Sequence, residues 1–146
     1  MRKSIAALGI IALSLSLPGC AAHQGGPQFV KQDDNTCRDT IHGLVWQTER
    51  SNLIDSLEEA EAYVAELNQK SAYHDWRLPT IYELYDLNYA FDLHQNGDCA
   101  MAREGNYWAG KKDGDGMVGA WEIGNQCDPE RQYFPGKKGF VRAVRP

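Results

Sequence analysis

The sequence predicts an α+β fold, with two helices packed on a small, mainly antiparallel sheet. Three observations predict it. Capping boxes at Ser56–Glu59 and Thr80–Glu83 open stretches whose apolar residues recur at helical spacing. Short β-prone runs follow, two of them separated by the turn-forming Asp113-Gly114-Asp115-Gly116. The resulting order, one strand, two helices, then several strands, fits α+β rather than alternating βα units.

The chain opens with a positive pair, Arg2 and Lys3, then an apolar run from Ile5 to Leu17, then Leu17-Pro18-Gly19-Cys20. A run of about 13 apolar residues is too short for a bilayer, which needs ~20, so residues 1–19 are expected to be a signal peptide. Leu at −3, a small residue at −1 and Cys at the cut resemble a lipobox, with Pro18 unusual at −2. Cys20 is therefore expected to carry lipid. The alternative is an ordinary signal cut after Ala21 or Ala22. Several acyl chains, at about 0.8 kcal/mol per buried methylene, hold a protein firmly at a membrane. By resemblance to Gram-negative lipoproteins, Ala21 after the cut favours the outer membrane, facing periplasm or cell surface. Residues 20–36 hold few core-forming side chains, and Gly25-Gly26-Pro27 interrupts any regular element. They are expected to be the lipidated cysteine and a tether, with one globular domain over 37–146.

Within the domain, Gly43-Leu44-Val45-Trp46-Gln47 is a short apolar run after turn-forming Asp39-Thr40 and reads as a strand. Ser56 is the expected N-cap of the first helix. Leu57, Ala60, Val64 and Leu67 make its buried stripe, and the acids at 58, 59, 61 and 66 mostly face water. The second helix begins after Pro79, with Ile81, Leu84, Leu87 or Asn88, and Phe91 inward. Residues 92–105 read as a loop. Asn106–Ala109 and Val118–Ile123 read as a hairpin, and Phe140–Arg145 as the last strand.

Removing the signal takes two of fifteen basic residues and none of the twenty acidic ones, which leaves thirteen against twenty, a net charge of −7. Such a chain is a poor general binder of nucleic acid or anionic lipid. The charge is uneven. Asp55 to Glu66 carries five acids and no base, and Arg131 to Pro146 five bases and no acid. With Cys20 lipidated, Cys37, Cys99 and Cys127 remain, and in an oxidising compartment one bridge and one thiol is the simplest count. Cys99 and Cys127 flank the expected hairpin and are the favoured pair, with Cys37–Cys127 the main rival.

The residues that could carry chemistry point mostly to structure. Trp46, Trp76, Trp108 and Trp121 could stack on sugar rings, but core packing is the stronger expectation. Asp75 and Arg77 suit an internal ion pair or hydrogen bonds to a turn. Asp113–Gly116 has Val118 where a calcium loop needs Gly, and Asp92–Gly97 meets Arg103 at its twelfth position, so no metal is expected. His23, His42, His74 and His94 lack ligand spacing. Cys37 with His42 could be called nucleophile and base, but no oxyanion site is evident. No catalysis and no cofactor are expected. The best ligand candidates are Lys137, Lys138 and Arg142, in the basic tail that ends at Arg145.

Five pieces of sequence carry a resemblance. They are Asp39…Gly43-Leu44-Val45-Trp46-Gln47, Asp75-Trp76-Arg77-Leu78-Pro79-Thr80-Ile81-Tyr82-Glu83-Leu84, Tyr107-Trp108-Ala109, Trp121-Glu122-Ile123 and Val141-Arg142-Ala143-Val144-Arg145. In this order, over about residues 33–146, they resemble the domain named for the C-terminal region of the Legionella collagen-like adhesin, Lcl. The resemblance implies a secreted or surface module, adhesin-like, whose collagen-like member recognises sulfated polysaccharide. The ending is also similar to C-type-lectin-like and sulfatase-modifying folds, by analogy of fold alone. Ala143 stands where many members carry Cys, so the family's usual disulfide is not carried over, and without a Gly-x-y tract trimerisation through one is excluded. The expected function is a surface-anchored, non-enzymatic module binding a glycan or an envelope partner. A structural accessory subunit of an envelope complex is the alternative, and an enzyme of unrecognised type stands third.

Overall fold

The computed structural model describes residues 25–111, 116–124 and 130–146. The signal segment, Cys20, the turn at 113–115 and Cys127 lie outside the described residues. Strands β1 (Phe29–Lys31), β2 (Thr36–Asp39) and β3 (Val45–Gln47) precede helices α1 (Leu57–Lys70) and α2 (Ile81–Asp92). Strands β4 (Tyr107–Trp108), β5 (Val118–Ile123), β6 (Arg131–Pro135) and β7 (Val144–Arg145) follow. The fold is α+β as expected, but the strands make two antiparallel sheets rather than one, β1-β2-β3-β7 and β4-β5-β6. An isolated parallel bridge links Tyr107 of β4 to Phe140, in the segment that leads into β7.

Both helices start where their side chains dictate. Ser56 Oγ accepts from the Glu59 backbone N–H, and Thr80 Oγ1 accepts from that of Glu83. The second box is reciprocal, with Glu83 accepting from the Thr80 N–H. In the first, the Glu59 carboxylate reaches Asp55 N–H instead. Ala60 and Val64 bury one face of α1, and Leu84, Leu87 and Ala90 one face of α2.

The two-residue alternation of the strands divides the core in two. Trp46, Tyr107 and Val144 join the cluster under α2, whereas their neighbours Val45, Trp108 and Ala143 join the one under α1. Successive side chains of a strand point to opposite faces, so the two helices cover opposite sides of the same strands.

The segment expected as a tether is not one throughout. Phe29 of β1 is fully buried, and its N–H donates to the Gln95 carbonyl at 3.0 Å. The sequence conceals β1 and β2 because both are short, with polar Thr36 and Asp39 buried and apolar Val30 exposed. Strand β6 is concealed likewise, with basic Arg131 at its start, Pro135 at its end and every side chain at least partly exposed. The run 140–145 is not one continuous strand either. Val141 exchanges hydrogen bonds with Ser51, and the Ala143 N–H donates to the Gln47 side chain.

Cys99 does not pair with Cys127. It is bonded to Cys37, with the Cα atoms 6.2 Å apart. The physical reason is the return of the loop after α2 across β1. A Cβ at Gly97 would stand 2.7 Å from the Phe29 carbonyl oxygen, and φ is +53° there, so glycine allows the approach. That approach brings Cys99 beside Cys37, whose partner across β2 and β3 is Trp46.

Candidate functional site

A groove of about 410 Å³ opens between α2 and β5. Leu84 and Asn88 form its helical wall, Gly119 to Ile123 its strand wall, and Arg103 to Gly105, Tyr107 and Arg131 the rest. A second hollow of about 420 Å³ shares Ile123 and Arg131 with it and is lined by Tyr85, Tyr89, Asp92 and Glu130.

The aromatic side chains here brace one another. Trp121 donates from Nε1 to the Ile81 carbonyl at 2.7 Å, which ties the indole to the start of α2. Its ring meets Tyr85 edge-on at 5.0 Å and Tyr133 at 5.3 Å, geometries that suit the ring quadrupoles. Tyr85 and Tyr89 stack at 6.0 Å, as residues four apart on a helix can. Tyr133 lies against Gly119, where a Cβ would meet its ring at 2.7 Å. Burial pushes the Tyr133 hydroxyl up to about 12, and its oxygen is buried with no hydrogen-bond partner among the described residues.

The polar side is built on Asp92, the last residue of α2. An acid at a helix C-terminus opposes the helix dipole, so it needs compensation. Two arginines supply it. Arg103 donates at 3.1 Å, and Arg131 donates from Nε at 2.8 Å and again from its second terminal nitrogen. Burial opposes ionisation of Asp92, but the bonds and charges of Arg131 and Arg103 outweigh it and hold the carboxyl below the usual value. Arg131 also donates to the Trp121 carbonyl at 2.7 Å, so the charged bridge and the aromatic wall are fastened together.

The basic tail does not form the patch expected of it. Arg142 is corrected from ligand candidate to core residue: it is 1% exposed and donates to the carbonyls of Gln47, Thr48 and Ala102. Arg131 is committed to Asp92. Arg145 lies 3.6 Å from the Tyr73 ring centre and 3.5 Å from an Asp75 oxygen. Lys137 and Lys138 are exposed beside Asn106, which donates to the Lys138 carbonyl, and neither lines the groove.

Trp46, Trp76 and Trp108 are core residues, leaving half-buried Trp121 at the groove. Arg77 pairs with Glu83, and Cys37, bonded to Cys99, is no nucleophile for His42. His42 instead holds Asp39 at 2.7 Å and stands 3.8 Å from Asp86. Sequence reasoning missed Tyr85, Tyr89, Asp92 and Arg103. The signal available was the tyrosine series at 82, 85 and 89, off the apolar stripe of α2.

A family model described as the Lcl C-terminal domain matches residues 35–145. No curated protein matches the chain, and no solved structure does.

Proposed function

The chain belongs to the Lcl C-terminal domain family, and from that premise we propose that it is a non-enzymatic, lipid-anchored envelope module that binds a glycan in the groove between α2 and β5. The observation that carries this reading is the placing of Trp121 beside the Arg103–Asp92–Arg131 bridge in an open groove. A sugar ring offers an apolar C–H face and a rim of hydroxyls. An aromatic wall and a fixed array of charged donors and acceptors match those two features. Cys20 is the lipid attachment point, and the outer membrane is the destination.

A second reading, the accessory subunit, has its own observation. Tyr82, Tyr89 and Leu93 of the α2 region and Ile123 of β5 are at least half exposed, an apolar surface beside the groove that suits a protein partner. Applying the mature, folded domain to an array of neutral, acidic and sulfated glycans separates the two. Selective retention on any glycan class supports the first reading, and silence across the array from folded protein leaves the accessory subunit. The anchor is tested separately: Cys20→Ser should leave an uncleaved or mislocalised precursor, and wild-type processing and fractionation would exclude lipidation.

A further inference from the structure

Resting on the glycan reading above, we infer that the groove selects an uncharged sugar and not a sulfated or carboxylated one. Among the described residues, two guanidinium groups line the groove, and both are paired with Asp92. Arg131 is the more enclosed, with a side chain only 12% exposed, and a further N–H of its fork is held by the Trp121 carbonyl. A sulfate entering the groove would have to displace a carboxylate already bonded to both arginines.

It would also meet further negative charge. Glu104 and Glu122 line the groove and Glu130 lines the adjoining hollow, all three exposed. Together with Asp92 they set four carboxylates against two arginines among the described residues. At physiological salt the Debye length is about 8 Å, so charges on the walls of one groove act on a bound anion with little screening. Lys137 and Lys138 do not change this balance, because they line neither hollow.

The same groups suit hydroxyls. A hydroxyl can give its proton to Glu104 or Glu122 and brings no charge that would have to displace Asp92 from its arginines. Asn88 adds an amide on the helical wall, and Trp121 provides the apolar surface for a ring face.

The test uses the mature domain, with cellotetraose, maltotetraose and N,N′,N″,N‴-tetraacetylchitotetraose as neutral ligands and a heparin tetrasaccharide as the sulfated one. Calorimetry is run at about 0.1 M and about 1 M salt, which shortens the Debye length from about 10 Å to about 3 Å. The expected result is binding of at least one neutral tetrasaccharide with less than about twofold change in Kd across that range. Trp121→Ala should weaken it by roughly tenfold or more, as loss of a central aromatic contact does. Glu122→Ala, an exposed change outside the core, should weaken it by about threefold and guards against misfolding of the tryptophan variant. Heparin binding that weakens with salt and is lost in Arg131→Gln would overturn the uncharged class while leaving a glycan function in place. Binding of neutral sugar unaffected by both groove variants would overturn the location. Failure of all four saccharides to bind folded protein would remove this inference, and a silent array would remove the glycan reading with it.

Discussion

Arg77 and Glu83 face each other in a two-pronged ion pair, with one terminal nitrogen 2.8 Å from Oε2 and the other 2.7 Å from Oε1. The same Oε2 accepts from the Thr80 N–H, closing the capping box of α2, while the Arg77 backbone exchanges hydrogen bonds with Val144 of β7. One pair of side chains thus fastens the start of α2 to the last strand. This accounts for the Arg77-Leu78-Pro79-Thr80…Glu83 block as a joint of the fold.

Glu83→Ala should lower stability by about 2 kcal/mol, about half from the cap and half from a pair discounted because the arginine is one-third exposed. Glu83→Gln keeps an acceptor for Thr80 and should lose less. Urea denaturation of both variants measures this, and equal losses would mean the cap contributes nothing.

Tryptic mapping without reductant should recover Cys37 linked to Cys99. A bridge that closes a loop of 62 residues restrains the unfolded chain substantially, so the Cys37→Ser/Cys99→Ser double variant should lose roughly 2–5 kcal/mol. A Cys99–Cys127 peptide as the major product would contradict the fold around β1.

Arg142 holds carbonyls from two separate segments, Gln47 and Thr48 on one side and Ala102 on the other. Removing the guanidinium strands these acceptors in the core, so Arg142→Gln should destabilise by about 3 kcal/mol. A thermal melt within a degree of wild type would show that the buried fork is dispensable.

His42 gives stability a pH dependence of definite sign. The hydrogen bond to Asp39, aided by the charges of Asp39, Asp86 and Glu83, raises the imidazolium above its ordinary 6.5 despite partial burial. The folded state therefore binds the proton more tightly than the unfolded chain. This contribution is fully present below the unfolded value and is lost as pH rises through the raised folded one. The ring is 42% exposed, so after screening it amounts to less than about 1 kcal/mol. The stability gap between wild type and His42→Gln should be larger at about pH 5.5 than at about pH 8.5, and the reverse order would refute the pairing.

What was legible in the sequence were features made by neighbours along the chain. Ser56 and Thr80 cap their helices because the residue each must reach lies three positions on, and Val118–Ile123 forms the strand its β-prone residues suggest. Residues matched to a family motif are legible in the same way, since a motif is local order repeated. Strands β1, β2 and β6 were not, because Phe29-Val30-Lys31, Thr36-Cys37-Arg38-Asp39 and Arg131-Gln132-Tyr133-Phe134-Pro135 carry no regular alternation of apolar and polar residues, and pairing with their neighbours in the sheet makes them strands.

The basic tail marks the boundary most clearly. Its five cations follow from composition, but where its three arginines point depends on partners 39 to 95 residues away: Asp92 for Arg131, Gln47 for Arg142, Asp75 for Arg145. Cys99 likewise meets Cys37 because a loop returns over β1, a contact that no spacing encodes. By itself the sequence determined the fold class, the helix starts and the family. Only the tertiary structure decided which charges reach water and which are neutralised inside, because burial and ion pairing arise between segments that the chain brings together only when it folds.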